Sequence, residues 1–333
     1  MARKVFPTLV LIVNIITLIL QLSAMGKWFD FEFLWILPLL CPLLSIINLA
    51  FLLYWIIRVK WPFLLFVFVF LVTIEDWGLL LQLPDGEEKN QEGSKIMSYN
   101  VRLFNQFNWI ADPEIPSKIL KQINSLDPDV VCLQEYSQKL SPEFSNYPYQ
   151  YFEPTVLGGD VGNAILSKTP FIESGKIEFK NSTSGGIYAD LNLGEKRVRI
   201  LSSHFESLST NFKETIDQWN QKKIEFERLK DILDIQNQQV KLVDSVARST
   251  QFPVVICMDL NNNAFSSPYQ KLIQDRKDAF VEAGIGLGST YKELLFPLRI
   301  DFIIVSQNIE VLDFQTPNVH YSDHRPVVAI LAN

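Results

Sequence analysis

The chain has 333 residues, enough for one large domain or two ordinary ones, with 37 acidic against 30 basic side chains and a net charge of −7. Residues 1–83 hold five Lys or Arg and four Asp or Glu in a background of Leu, Ile, Val and Phe, which leaves about −8 on the remainder. That balance argues against a surface built to track a polyanion, although a cation held in a site would still bring a phosphate in locally.

From Val5 to Leu22 the chain is apolar apart from Asn14, Thr17 and Gln21, long enough to approach the thickness of a bilayer core. A second apolar run, Phe33 to Ile57, follows after a short polar loop, which favours a membrane span over a cleaved signal sequence. Arg58-Val59-Lys60 forms a basic turn, and Phe63 to Leu83 gives a third run broken by Glu75-Asp76, a span or an interfacial helix. Residues 1–83 are therefore expected to be an anchor of two to three transmembrane helices in contact with lipid. The basic pairs Arg3-Lys4 and Arg58/Lys60 belong on the cytoplasmic side, and three crossings would then place the rest of the chain outside the cytoplasm. Read alone as a channel or sensor, the segment offers only Glu75 and Asp76 as ionisable groups within its apolar runs, thin support for a pathway.

Residues 84–94 are polar and punctuated by Pro and Gly, and read as a linker. A soluble domain over 95–333 follows. Lys95–Tyr99 is expected as a strand ending at Asn100, and Glu114–Leu126 as a helix with Ile115, Ile119, Ile123 and Leu126 on one face. Asp129–Gln134 is a nearly continuous apolar strand ending at Glu135. Short β-rich runs follow at Ala164–Ser167, Phe171–Phe179, Ile187–Leu193 and Val198–Ser203, the last ending at His204. Between about Asn211 and Ser249, Trp219, Phe226, Leu229, Leu233, Val240, Val243 and Val246 recur at helical spacing, so one helix or two should cover a sheet. Phe252–Met258 returns to strand and closes on Asp259-Leu260-Asn261. Ile300–Val305 carries Asp301 against its apolar pattern, and Val327–Leu331 follows Ser322-Asp323-His324-Arg325-Pro326. Cys41, Cys132 and Cys257 each lie inside an apolar run and read as buried small side chains, not a disulfide framework or a metal cluster. There is no internal repeat.

Taken singly, an Asn, Asp or His beside a strand end is an ordinary turn former. Together, Asn100, Glu135, His204, Asp259, Asn261, Asp301, Asp323 and His324 form a set that suits metal-assisted phosphate chemistry. Carboxylates and an amide can hold a hard cation by oxygen, while imidazoles and an amide remain for phosphoryl oxygens.

The ordered motifs Tyr99-Asn100-Val101, Leu133-Gln134-Glu135, Ser203-His204, Asp259-Leu260-Asn261, Arg299-Ile300-Asp301-Phe302-Ile303 and Ser322 to Val327 resemble the endonuclease/exonuclease/phosphatase superfamily. The resemblance covers the soluble domain and implies an α/β fold, a two-sheet, four-layer α/β sandwich of the deoxyribonuclease I kind, here preceded by transmembrane helices. It implies hydrolysis of a phosphoester with Mg2+ or Mn2+. Glu135 would be the principal metal ligand, supported by Asn100 and Asp323. Asp259 would orient and deprotonate water, with Asn261 fixing Asp259 and the phosphate. His324, oriented by Asp301, and His204 would stabilise charge on phosphoryl oxygens.

Two departures narrow the substrate. Met258 and Leu260 replace the usual neighbours of the Asp-x-Asn pair, and Arg102 stands where abasic-site endonucleases carry an acidic ligand. The expected substrate is a nucleic acid, a phospholipid head group or a small phosphodiester, and no obligate protein partner is evident. A catalytically inactive membrane-bound binding module of the same fold is the rival reading, and the near-complete polar set argues against it.

Overall fold

The computed structural model describes residues 2–26, 36–84, 92–180, 182, 184–208, 219–291 and 298–333. Two compact units emerge, Met1–Leu81 with Asn263–Ser266, and Gln82–Asn262 with Ser267–Asn333.

The first unit is helical: α1 (Ala2–Ala24), α2 (Leu37–Ile57), α3 (Phe63–Val72) and α4 (Ile74–Trp77). The polar residues that interrupt the first apolar run are spent on α2. Asn48 donates to Gln21 Oε1 at 2.6 Å and to Thr17 O at 3.1 Å, Thr17 Oγ1 donates to Asn48 Oδ1 at 2.7 Å, and Trp55 Nε1 donates to Asn14 Oδ1 at 3.0 Å. Side-chain bonds of this kind join helices where no water competes for them. Among the described residues, two helices are long and apolar enough to cross a membrane, over Phe6–Ala24 and Leu37–Ile57. The third run breaks early. The Thr73 backbone N–H turns back to Val69 O and Phe70 O, its hydroxyl caps Val69 O, and the ten-residue α3 ends there.

The second unit holds two six-stranded sheets. The strands are β1 (Ser94–Asn100), β2 (Val130–Ser137), β3 (Tyr149–Pro154), β4 (Val161–Ser167), β5 (Phe171–Ile177), β6 (Gly185–Leu193), β7 (Lys196–His204), β8 (Val254–Asp259), β9 (Arg276–Asp278), β10 (Asp301–Ser306), β11 (Val311–Gln315) and β12 (Val327–Leu331). Their order is β11-β12-β1-β2-β4-β3 in one sheet and β5-β6-β7-β8-β10-β9 in the other. The helices are α5 (Ile115–Leu126), α6 (Trp219–Arg248), α7 (Ser267–Ile273) and α8 (Ala279–Ala283).

The sandwich follows from alternation along the strands. Ile96, Val130 and Cys132 point into the core between the sheets and meet Ala189, Val255, Cys257 and Ile303 of the other sheet. Met97, Tyr99, Val131 and Leu133 point the opposite way, onto Ile115, Ile119 and Ile123 of α5. All three cysteines are buried and free. On α6 the buried stripe is Ile232, Gln236, Gln239, Val240, Val243 and Ala247, whereas Leu229, Leu233 and Val246 are half-buried. Val240 and Val243 are buried as expected, while Leu229, Leu233 and Val246 lie at the edge of the buried stripe. Gln236 takes a core place because its amide donates to Glu206 O at 2.7 Å and Leu260 O at 3.2 Å, in the loops after β7 and β8. Of the expected helical stretch, residues 211–218 lie outside the described residues, as do the side chains of Trp219 and Phe226.

Candidate active site

The strands that carry the expected site residues deliver them to one edge of the sandwich. β1 and β2 run parallel, with Asn100 beside Gln134, and β7 and β8 run parallel, with His204 beside Asp259. Parallel neighbours present their carboxyl ends together, which is where such sheets build sites. β10 and β12 run antiparallel to these and so contribute at their starts. Asp301 opens β10 opposite Asp259, and Asp323-His324 comes just before β12.

Asn100 ties the two sheets together, its Nδ2 donating to Glu135 Oε1 at 3.0 Å and to Asp259 Oδ2 at 2.9 Å. His204 Nε2 lies 3.7 Å from each of those oxygens and 3.1 Å from Asn261 Nδ2. Asn261 donates through its backbone N–H to Asp259 Oδ1 at 2.9 Å and through its amide to Phe205 O at 3.0 Å. His324 Nδ1 faces both oxygens of Asp301, at 2.9 and 3.1 Å, which turns Nε2 toward Asp259 Oδ2 at 3.6 Å. Asp323 Oδ2 pairs with Arg102 Nε at 3.2 Å. All eight expected residues lie in this one network, while His320 is exposed outside it.

Sequence reasoning missed several supports. The Asp301 backbone N–H donates to Thr290 Oγ1 at 3.2 Å. Ser322 Oγ accepts from the His324 backbone at 3.2 Å and lies 2.9 Å from Asn100 O. The Tyr291 ring packs on His324 with centroids 5.1 Å apart. Ser322 could have been found from its place in the motif. Thr290 and Tyr291 carry no local signal.

The backbone is bent where it serves the network. Between Leu133 and Tyr136 the β2–β4 register slips, so Gln134 and Glu135 together oppose Asn163. Glu135 sits at φ 46° in this bulge, which re-aims its carboxylate from the strand's alternation. Asn261 sits at φ 52°, closing the turn on Asp259 despite the altered neighbours Met258 and Leu260, both fully buried. After β1, Arg102, Leu103, Phe104 and Asn105 are all left-handed, with φ between 43° and 65°, a turn without a glycine. Strain of this kind gathers at functional sites. Here it sets Arg102 against Asp323, with the guanidinium 4.5 Å over the Trp109 ring.

A profile of the endonuclease/exonuclease/phosphatase family matches residues 97–324, more than half of the chain and every residue of the network. The chain belongs to the endonuclease/exonuclease/phosphatase family. Solved structures of similar fold include an endonuclease/exonuclease/phosphatase from Bacteroides vulgatus (TM-score 0.59, 15% identity, covering 72% of this chain and 98% of that one). A mannosyl-6-phosphatase from Bacteroides thetaiotaomicron (0.55, 16%, 72% and 100%) and the human Nocturnin catalytic domain (0.55, 15%, 74% and 95%) share it as well. No curated protein matches the chain.

The electrostatics of this network favour a cation. Among the described residues, the four carboxylates of Glu135, Asp259, Asp301 and Asp323 share one network with the Arg102 guanidinium and the His204 and His324 imidazoles. Burial pushes the Asp323 carboxyl above its usual range, His324 and Arg102 pull it back, and the Glu135 charge raises it again. Burial also raises Asp301, against the pull of His324. Burial would lower the His324 imidazole, but Asp301 and Asp259 outweigh it and hold the ring protonated well above its ordinary range. This donor set fits a hard divalent ion, which prefers several oxygen ligands. A second grouping, one donor atom each from Asp259, Asp301 and His324, lies within 4.8 Å. There, however, His324 Nδ1 is committed to Asp301, so the grouping reads better as a carboxylate–imidazole pair facing Asp259.

Proposed function

We propose that the chain is a membrane-tethered, metal-dependent phosphoester hydrolase, with residues 1–83 as anchor, 84–94 as linker and 95–333 as the catalytic domain. The observation that carries the reading is the joining of carboxylates and imidazoles from both sheets through Asn100 into one network. Glu135, Asn100 and Asp323 would hold Mg2+ or Mn2+, which supplies charge neutralisation at the phosphate when bound. Asp259, whose two oxygens are fixed by Asn261 N–H and Asn100 Nδ2, takes the proton of the attacking water as its oxygen bonds to phosphorus. The bond from phosphorus to the leaving oxygen breaks on the opposite side, its electron pair stays on that oxygen, and a proton from solvent water completes the departing alcohol. His324, kept cationic by Asp301, donates to a phosphoryl oxygen, and His204 and Asn261 face the same volume.

The similar structures bear names as different as mannosyl-6-phosphatase and Nocturnin, so the substrate is to be read from this chain's own pocket. The test is direct. Full-length protein in detergent, stripped with EDTA and given bis(p-nitrophenyl) phosphate and p-nitrophenyl phosphate, should be inactive and should regain hydrolysis with Mg2+ or Mn2+. Hydrolysis indifferent to chelation, or no hydrolysis with either ion, would count against the reading and leave the inactive binding module.

Which face of the membrane carries the domain turns on the third apolar stretch. Three crossings place it outside the cytoplasm. The ten-residue length of α3, about 15 Å at 1.5 Å per residue against a core of about 30 Å, favours two crossings and a cytoplasmic domain on the side of Arg3, Lys4, Arg58 and Lys60.

A further inference from the structure

The outer strands of the two sheets, β3 and β4 on one side and β5 and β6 on the other, enclose a pocket of about 360 Å³, its open mouth included. Its polar lining is Glu153, Thr155 and Asn163 from the first sheet and Lys176, Glu178 and Ser184 from the second. The registers place it beside the catalytic network. Gly185, in its wall, pairs with His204 along β6–β7, and Asn163 lies opposite the bulge that carries Glu135.

One lining residue points to a ligand. Asn163 is 1% exposed, yet its Oδ1 has no hydrogen-bond partner. A buried amide oxygen left unpaired is costly and needs an explanation. Gly185 leaves room beside the same amide, since a Cβ there would stand 3.3 Å from Thr155 Cγ2 and 3.5 Å from Asn163 Nδ2. A hydroxyl donor entering from the mouth would fill that space and satisfy the amide.

Charge and shape narrow the ligand. Lys176 Nζ is 3.4 Å from Glu153 Oε1 and donates to Pro154 O at 3.1 Å, so its charge is already matched across the sheets. Glu178 then leaves the lining with one surplus negative charge, which repels a second phosphate or a carboxylate. The aromatic ring in the lining, Phe179, is buried and packs on Phe205 with centroids 5.7 Å apart, a poor platform for stacking a base. What remains is a neutral group with many hydroxyls.

We infer that this pocket binds the alcohol half of the phosphoester and that this half is a sugar or polyol. The inference rests on the hydrolase reading and names its substrate class. Substrate hydroxyls donate to Asn163 Oδ1 and to the Glu153 and Glu178 carboxylates, and accept from Lys176 and Ser184. The phosphate then extends past Gly185 toward His204.

The experiment compares glucose 6-phosphate with p-nitrophenyl phosphate on the full-length protein in detergent with Mg2+, in wild type, Asn163→Leu and the milder Gly185→Ala. The ratio of kcat/KM for glucose 6-phosphate to that for p-nitrophenyl phosphate should fall about tenfold in Asn163→Leu, the effect of a lost buried hydrogen bond, and should also fall in Gly185→Ala. An unchanged ratio in both variants would overturn the inference, whatever happens to the absolute rates. Should the wild type hydrolyse neither of these monoesters, the hydrolase reading is judged separately on bis(p-nitrophenyl) phosphate, and the pocket is then read by calorimetric titration with methyl α-glucoside. Binding lost in Asn163→Leu upholds the pocket, and no binding to wild type refutes it.

Discussion

Asp301 is a carboxylate placed where a strand should be apolar, and it is 1% exposed. Such a charge persists in a core only when paired and hydrogen-bonded, and here His324 Nδ1 partners both carboxylate oxygens while Thr290 Oγ1 accepts from the Asp301 backbone. In the proposed mechanism it aims His324 Nε2 and raises the pKa of the ring. Asp301→Asn preserves the shape and removes the charge. The rate of phosphoester hydrolysis should fall roughly 10²-fold, within the range that a positioned proton donor supplies. The sign of the pH effect also follows. Asp301 raises the His324 pKa, so activity that needs the cation is present below that value and lost as pH rises through it. In Asp301→Asn the alkaline limb of the pH–rate profile should move to lower pH, and a limb that stays in place would show that the pair does not act this way.

The residues of the network were legible in the sequence because each interrupts or ends an apolar run: Glu135 after Asp129–Gln134, Asp259 after Phe252–Met258, Asp301 within Ile300–Val305. The supports were not. Thr290 reaches Asp301 from a loop with no motif, and Arg102 meets Asp323 across more than two hundred residues.

At the scale of elements, long strands and α5 were readable because their periods of two and 3.6 are strong. β9 has only three residues, and β11, with Asp313 at its centre, lacks the continuous apolar run that made the equally short β12 readable. The left-handed turn after β1 was invisible for another reason, since no glycine announces it. Each non-glycine residue in that conformation costs roughly 1–2 kcal/mol. Leu103 is the apt place to test this, at φ 53° and ψ 28° and only half-buried. Leu103→Gly should relieve that strain against about 0.5–1 kcal/mol of added chain entropy, a net gain of up to about 1.5 kcal/mol. Thermal unfolding should shift upward by a few degrees, while a marked downward shift would mean that the Leu103 side chain, not the backbone, holds the turn. α6 acts at this scale as well. Gln236 and Gln239 hold the Glu206 backbone, and Gln236 also binds Leu260 O, so the helix clamps the loops that follow His204 and Asp259.

At the scale of the molecule, two features of the sequence point in different directions and are reconciled by the anchor. A surplus of acid discourages a freely diffusing enzyme that tracks nucleic acid. Two helices long and apolar enough to cross a membrane would, in the proposed reading, hold the hydrolase at a surface instead. The face is set by the number of crossings, and the native cysteines give no background because all three are buried. A cysteine introduced at Glu88 in intact cells should resist a membrane-impermeant maleimide and react only after lysis, as two crossings require. Labelling of intact cells would instead mean that the third stretch spans and the domain lies outside.

The central claim is that side chains from both sheets form one metal-dependent hydrolytic site, and Glu135 is where it is most exposed to test. Glu135→Gln keeps size and bulge while removing the charge that faces Asn100 and His204. Hydrolysis of bis(p-nitrophenyl) phosphate at fixed Mg2+ should fall at least about 10²-fold and recover in part at high Mg2+, as expected for a weakened metal site. A variant with wild-type rate and wild-type Mg2+ dependence would contradict the account.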